Sequence, residues 1–237
     1  MTETREGRRP PHPLVSAMLA LAVTALDAAL LAFALGGLPS LLAHARALAL
    51  LAAWAVGGVT LALRRPVRGH DAVTVERDPP LVMLALFFIP LLTPPLAALG
   101  ERMAWAPLAG GPALRWSGVA LSGAGLALRI AAMAQLGPRF SPLVAMQRQH
   151  TLETRGLYRR IRHPGYLGAW LASLGGALAF GSAYALVPVA AMGLLLWQRA
   201  GREESMLARH FGDEYGRYRA RTGRFFPSLT PSRDSGT

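Results

Sequence analysis

Residues 166–197 read YLGAWLASLGGALAFGSAYALVPVAAMGLLLW, from Tyr166 to Trp197, without one charged side chain. As a single helix these 32 residues would be about 48 Å long, against a bilayer hydrocarbon core of roughly 30 Å. Gly181-Ser182 lies near the middle and marks a turn. The stretch therefore predicts two short antiparallel helices forming a hairpin inside a membrane. The polar tail from Gln198 onward lies beyond it.

Four further apolar runs precede the hairpin. The first covers about Leu14 to Leu35 and ends at Gly36-Gly37. The second covers about Leu41 to Leu63 and stops at Arg64-Arg65-Pro66. The third, Leu81 to Leu99, contains Pro90, Pro94 and Pro95, which predict a kink or an early end. The fourth runs from about Ala113 to Leu136. None alternates in the way a membrane β-barrel requires. The expected fold is an all-α, polytopic membrane bundle of about six membrane segments, with a cytoplasmic C-terminal region.

Composition agrees. Charged residues make up 16% of the 237 and hydrophobic ones 52%, where soluble domains carry about 25% charged residues. The 25 basic residues are all Arg, and the net charge is +12. In a membrane chain such a charge sets orientation and attracts anionic headgroups; no nucleic-acid partner is expected. With the N-terminus inside, Arg46, Arg102 and Arg115 fall near the outer face and nearly all other Arg on the cytoplasmic side. Both termini are then cytoplasmic, in a plasma or inner membrane. The absence of Cys excludes disulfides, thiolate metal sites and a Cys nucleophile. The run after Pro13 is too long for a cleavable signal.

Few residues carry chemistry. Asp27 lies mid-way along the first run; an intramembrane carboxylate is a functional candidate, set against a carboxyl that simply faces the bundle. Arg129, near the inner end of the fourth run, reads as a snorkelling side chain. His12, His44 and His70 read as solvated surface residues. The stretch His150–Gly168 differs. It gathers His150, Gly156, Tyr158, Arg162, His163, Pro164, Tyr166 and Gly168 within nineteen residues. Pro164 drives His163 out of helical geometry and opens the next helix. That helix end favours an anion, and Arg162 adds a bidentate cation for a carboxylate or phosphate. A basic juxtamembrane belt with Tyr at headgroup level explains the same residues. In the tail, Arg199, Glu203 and Leu207 recur at helical spacing, Arg199 and Glu203 share a face, and Gly212 is a natural helix end. A surface-lying amphipathic helix is the competing reading.

The pattern His150-x-Leu152-x3-Gly156-x-Tyr158-x3-Arg162-His163-Pro164-x-Tyr166-x-Gly168 resembles the signature of the isoprenylcysteine carboxyl methyltransferase family. Glu203-Glu204-x2-Leu207-x3-Phe211-Gly212-x2-Tyr215-x2-Tyr218, then Arg224 and Pro227, resembles its C-terminal half; related phospholipid methyltransferases share much of this. The resemblance covers roughly residues 135–228. It implies an integral membrane enzyme using S-adenosylmethionine, with the cofactor between the His-Pro segment and the C-terminal tail. It implies that His150, Leu152, Gly156, Tyr158, Arg162, His163, Pro164, Tyr166, Gly168 and Glu204 hold the cofactor. Arg199 and Glu203 become the catalytic candidates facing a hydrophobic or lipid-like acceptor. Residues 1–13 are then a polar tail, 14–136 a transmembrane scaffold, 137–228 the catalytic region with hairpin 166–197, and 229–237 a disordered tail. Two rivals remain. One is an NADPH-dependent membrane sterol-type reductase, whose segment usually has an acidic residue where Ala169 stands. The other is a non-enzymatic membrane interaction protein.

Overall fold

The computed structural model describes residues 13–63, 72–76, 78–137, 144–147 and 151–228. Leu- and Ala-rich runs with little to interrupt them form helices α1 (Pro13–Leu35), α2 (Leu38–Leu42), α3 (Ala45–Leu63), α4 (Pro80–Arg102), α5 (Gly111–Leu136), α6 (Pro164–Phe180), α7 (Leu186–Phe211) and α8 (Asp213–Arg221). Proline stands at or beside the first residue of α4, α5 and α6, where its missing N–H costs nothing. Glycine closes α6 in the left-handed region, Gly181 having φ 66°. Four of these helices, α1, α3, α4 and α5, and α7 with the turn before it, are long and apolar enough to cross a membrane. The chain is a multi-pass membrane protein.

Three expectations need correction. The second apolar run does not form one helix: the short α2 precedes α3, which begins only at Ala45. Pro90, Pro94 and Pro95 do not end α4. Thr93 Oγ1 donates to the Ile89 carbonyl at 2.6 Å, the i−4 back-bond that satisfies a buried hydroxyl within its own helix. The hairpin is real but uneven. Its first arm α6 has 17 residues and its second arm α7 has 26, reaching Phe211. The polar stretch after Trp197 therefore continues the same helix, since Arg199, Glu203 and Leu207 keep helical spacing. The all-α class holds, with one addition: β1 (Ala72–Glu76) pairs antiparallel with β2 (Val144–Gln147), tying together two linker segments.

The closest packing lies between α5 and α6, which run antiparallel. A Cβ on Gly168 would sit 2.6 Å from the Arg129 amide nitrogen, and one on Gly175 2.3 Å from that of Ser122. Gly118 and Gly125 on α5 are hemmed in by the α6 backbone in the same way. Small residues let two backbones touch, which is how membrane helices associate without a hydrophobic driving force. Around this pair, Leu31, Leu50, Ala97, Phe180 and Val189 form the core.

Two ends of the bundle carry charge. At one, Glu101 at the end of α4 accepts from Arg46 at 3.1 Å and is ion-paired with Arg115 at the same distance, with His44 3.7 Å away. At the other lie the start of α4, the end of α5, the start of α6 and all of α8.

Candidate active site

The second end encloses a cavity of about 500 Å³, within the usual range for small-molecule sites. Its inner part is apolar, with Trp54, Leu61, Phe87, Leu126 and Met192. Its other part is polar, with Glu153, Tyr158, His163, Tyr166, Arg199 and Glu203.

Pro164 fixes the start of α6, and His163 before it leaves helical geometry (φ −125°, ψ 57°) without becoming fully extended. The backbone leading into it pairs with the C-terminal segment. The Arg162 amide donates to Gly223 O at 2.9 Å, that of His163 to Arg224 O at 3.0 Å, and that of Gly223 to Arg160 O at 3.1 Å. The segment after α8 thus forms a wall against the His-Pro segment. Tyr218 reinforces it by donating its hydroxyl to Tyr158 O at 2.8 Å. Burial pushes the Tyr218 phenol up to about 12 and also raises those of Tyr158 and Tyr215, so these hydroxyls stay protonated.

Glu204 on α7 is the knot of this wall. Its carboxylate, only 4% exposed, accepts from Arg162 Nε at 2.9 Å and Arg224 Nη2 at 2.7 Å, and lies 3.3 Å from His163 Nε2. Arg224 also lies over the Trp197 ring, 4.4 Å from its centroid. One turn away on the cavity side, Tyr166 receives Arg199 Nε at 2.9 Å and donates to Glu203 Oε2 at 2.8 Å. Its ring stacks on His163 at 5.3 Å and 9°. Arg199 is in turn ion-paired to Asp78 at 2.8 Å, a contact that lacks the alignment of a hydrogen bond, and Arg202 grips the same carboxylate at 3.0 Å.

The sequence-derived candidates therefore separate into three groups. Leu152, Tyr158, His163, Tyr166, Arg199 and Glu203 line the cavity together. Arg162, Pro164, Gly168, Gly156 and Glu204 have structural employment. Arg162 also lines the cavity, but beyond Glu204 it donates to the carbonyls of Arg219 and Thr222, so it is not the free bidentate cation expected. Gly168 is where α5 and α6 touch. Gly156 (φ 53°) opens a 3-10 turn against Gln135, whose Oε1 accepts from the Leu157 amide at 3.0 Å. His150 lies outside the described residues. Sequence reasoning missed Asp78, whose Arg partners are far away in the chain, and misread Arg129. Arg129 does not snorkel: it lines the cavity and donates to Gly165 O at 3.1 Å. His44 is not a solvated surface residue either; it is part-buried beside Arg46 and Glu101. Asp27 is 3% exposed, away from the polar part of this cavity, in a smaller crevice between α1, α3 and α5.

Residues 118–209 match the isoprenylcysteine carboxyl methyltransferase family. Phe211 to Pro227 lie beyond that match. A Schizosaccharomyces pombe protein-S-isoprenylcysteine O-methyltransferase is 38% identical over 108 residues, which is 43% of this chain and 44% of that protein. The Homo sapiens enzyme of the same name is 33% identical over 111 residues, 44% and 38% of the two chains. The matched region thus spans less than half of these curated relatives. A solved structure of a eukaryotic intramembrane Ras methyltransferase, isoprenylcysteine carboxyl methyltransferase, superposes with TM-score 0.51 at 19% identity. It covers 92% of this chain and 87% of that one, a likeness of fold.

Proposed function

We propose that this chain is a member of the isoprenylcysteine carboxyl methyltransferase family and an integral membrane methyltransferase that transfers a methyl group from S-adenosylmethionine to the carboxylate of a hydrophobic, lipid-like acceptor. The observation that carries this reading is one cavity with two chemistries. Its Tyr166–Arg199–Glu203–His163 cluster is continuous with an apolar channel among membrane helices.

The residues present suit the cofactor. Tyr faces and the Glu203 carboxylate favour a sulfonium cation, and Leu152 and His163 provide further contact surface. When bound, the cofactor supplies a methyl group on a cationic sulphur leaving group. The chain's own task is alignment and exclusion of water. Arg199 and Glu203 fix the Tyr166 hydroxyl from both sides, and Asp78 holds Arg199 in turn. An ionised carboxylate acceptor needs no general base, so His163 has no proton to remove; its buried ring holds Glu204 and stacks on Tyr166. The apolar walls receive the acceptor's chain. The Arg distribution supports an orientation with this end and both termini in the cytoplasm.

Calorimetric titration of the detergent-solubilised protein with S-adenosylhomocysteine, with NADPH in parallel, tests the reading. Micromolar binding of the former, lost in His163→Ala, is expected. Binding of NADPH alone would replace this reading with a reductase.

A further inference from the structure

Arginine is plentiful at this end of the bundle, and nearly every guanidinium near the cavity has a carboxylate. Arg162 and Arg224 share Glu204; Arg199 and Arg202 share Asp78. Arg129 is the exception. It lines the cavity, yet among the described residues no carboxylate pairs with it. Its one hydrogen bond, from Nη1 to the Gly165 carbonyl at 3.1 Å, uses a single donor of the five a guanidinium carries.

The position is fixed. Arg129 lies on α5 where Gly168 brings the α6 backbone against it, so its Cα cannot withdraw. Its titratable neighbours are the neutral phenols of Tyr158 and Tyr166 and another cation, Arg199. A cation held in a low-dielectric wall beside a like charge is costly unless an anion joins it. Snorkelling would relieve that cost by carrying the head to the interface, but here the head turns to Gly165 and the cavity.

We propose that Arg129 is the anchor for a ligand carboxylate in this cavity, binding it through the free edge of the guanidinium. Carboxylate is the chemistry that such a planar fork matches. Both ligands of the proposed reaction carry one: the aminoacyl end of the methyl donor, and the acceptor. The inference rests on the methyltransferase reading.

The test compares Arg129→Gln with the wild-type protein, by calorimetry, against three probes: S-adenosylhomocysteine; 5′-methylthioadenosine, which keeps the nucleoside and thioether but has no carboxylate; and N-acetyl-S-farnesylcysteine. If Arg129 holds the donor, S-adenosylhomocysteine binds at least tenfold more weakly to the variant while 5′-methylthioadenosine binds as before. If it holds the acceptor, both nucleosides bind unchanged and the farnesylcysteine weakens by a similar factor. Arg129→Lys, which keeps the charge and loses the fork, should fall between the two and serves if the Gln variant does not fold. Unchanged affinity for all three probes, or an equal loss for both nucleosides, overturns the assignment. Failure of the wild-type protein to bind either nucleoside overturns the methyltransferase reading and takes this inference with it.

Discussion

The two charged ends of the bundle are built on one plan and serve different ends. At one, Glu101 gathers Arg46, Arg115 and His44 from α3, α5 and the turn before α3; Arg46 also donates to Ala179 O at the end of α6. At the other, Glu204 gathers Arg162, Arg224 and His163, and Asp78 gathers Arg199 and Arg202. In both places one carboxylate fastens several segments. The cavity takes no wall residue from the Glu101 cluster. A charge network is thus a fastening by default. It becomes a site where the fastened elements leave room between them and where side chains such as Tyr166 and Glu203 face that room.

The comparison can be broken by mutation, and the largest effect belongs to the cavity. Glu203→Gln should lower kcat/KM about 100-fold or more, the loss typical of removing one preorganised electrostatic group, with little change in the thermal midpoint because the side chain is 31% exposed. A folded variant with normal turnover would leave the cavity end no different from the other. Glu204→Gln should lose about 3–5 kcal/mol of stability, since two guanidinium groups lose their buried counter-charge, and S-adenosylhomocysteine binding should fall with it. Glu101→Gln, at a carboxylate 19% exposed, should lose about 1–3 kcal/mol and keep its ligand affinity in calorimetry. Loss of affinity there would mean that the two ends communicate.

The smallest effect sharpens the comparison by pH. Burial, and then the Arg46 guanidinium, hold the His44 imidazole below its usual range. A base whose folded pKa is depressed binds protons more readily when unfolded. Its contribution to stability is complete above its unfolded pKa, near 6.5, and declines as pH falls through that value toward the folded one. The thermal midpoint should therefore drop as pH is lowered from 7 to 5, and His44→Asn should flatten that drop. An unchanged slope in the variant would show that other groups govern it.

Much of the fold was legible because a bilayer demands long apolar runs: α1, α4 and α5 begin and end within about two residues of the composition breaks, or three at the polar end of α4. The second run was less so, because Ala43-His44 breaks a helix that apolarity alone would continue. The strand pair β1–β2 was hidden in polar linkers whose partners lie about 70 residues apart in the chain. The candidate site was half legible. Tyr158, His163, Tyr166, Arg199 and Glu203 could be placed together because their spacings follow two helix ends that meet. Arg162 was given the wrong task because its partners, Arg219 and Thr222, lie some 60 residues on. Asp78 and Arg129 acquire meaning only through α7 and α6, which no local pattern around them announces.

The pairing of residues 160–163 with 223–224 has a consequence for how the protein is made. All the long apolar helices emerge from the ribosome before Tyr218, Thr222 and Arg224 do, and chains generally fold from the N-terminal side as they are synthesised. A nascent chain can therefore be fully inserted while its cavity still lacks a wall. Message damage or premature termination after α7 would release a product that keeps every long apolar helix and lacks the wall of the proposed site. Abundance of the protein in a membrane fraction would then be a poor proxy for its activity.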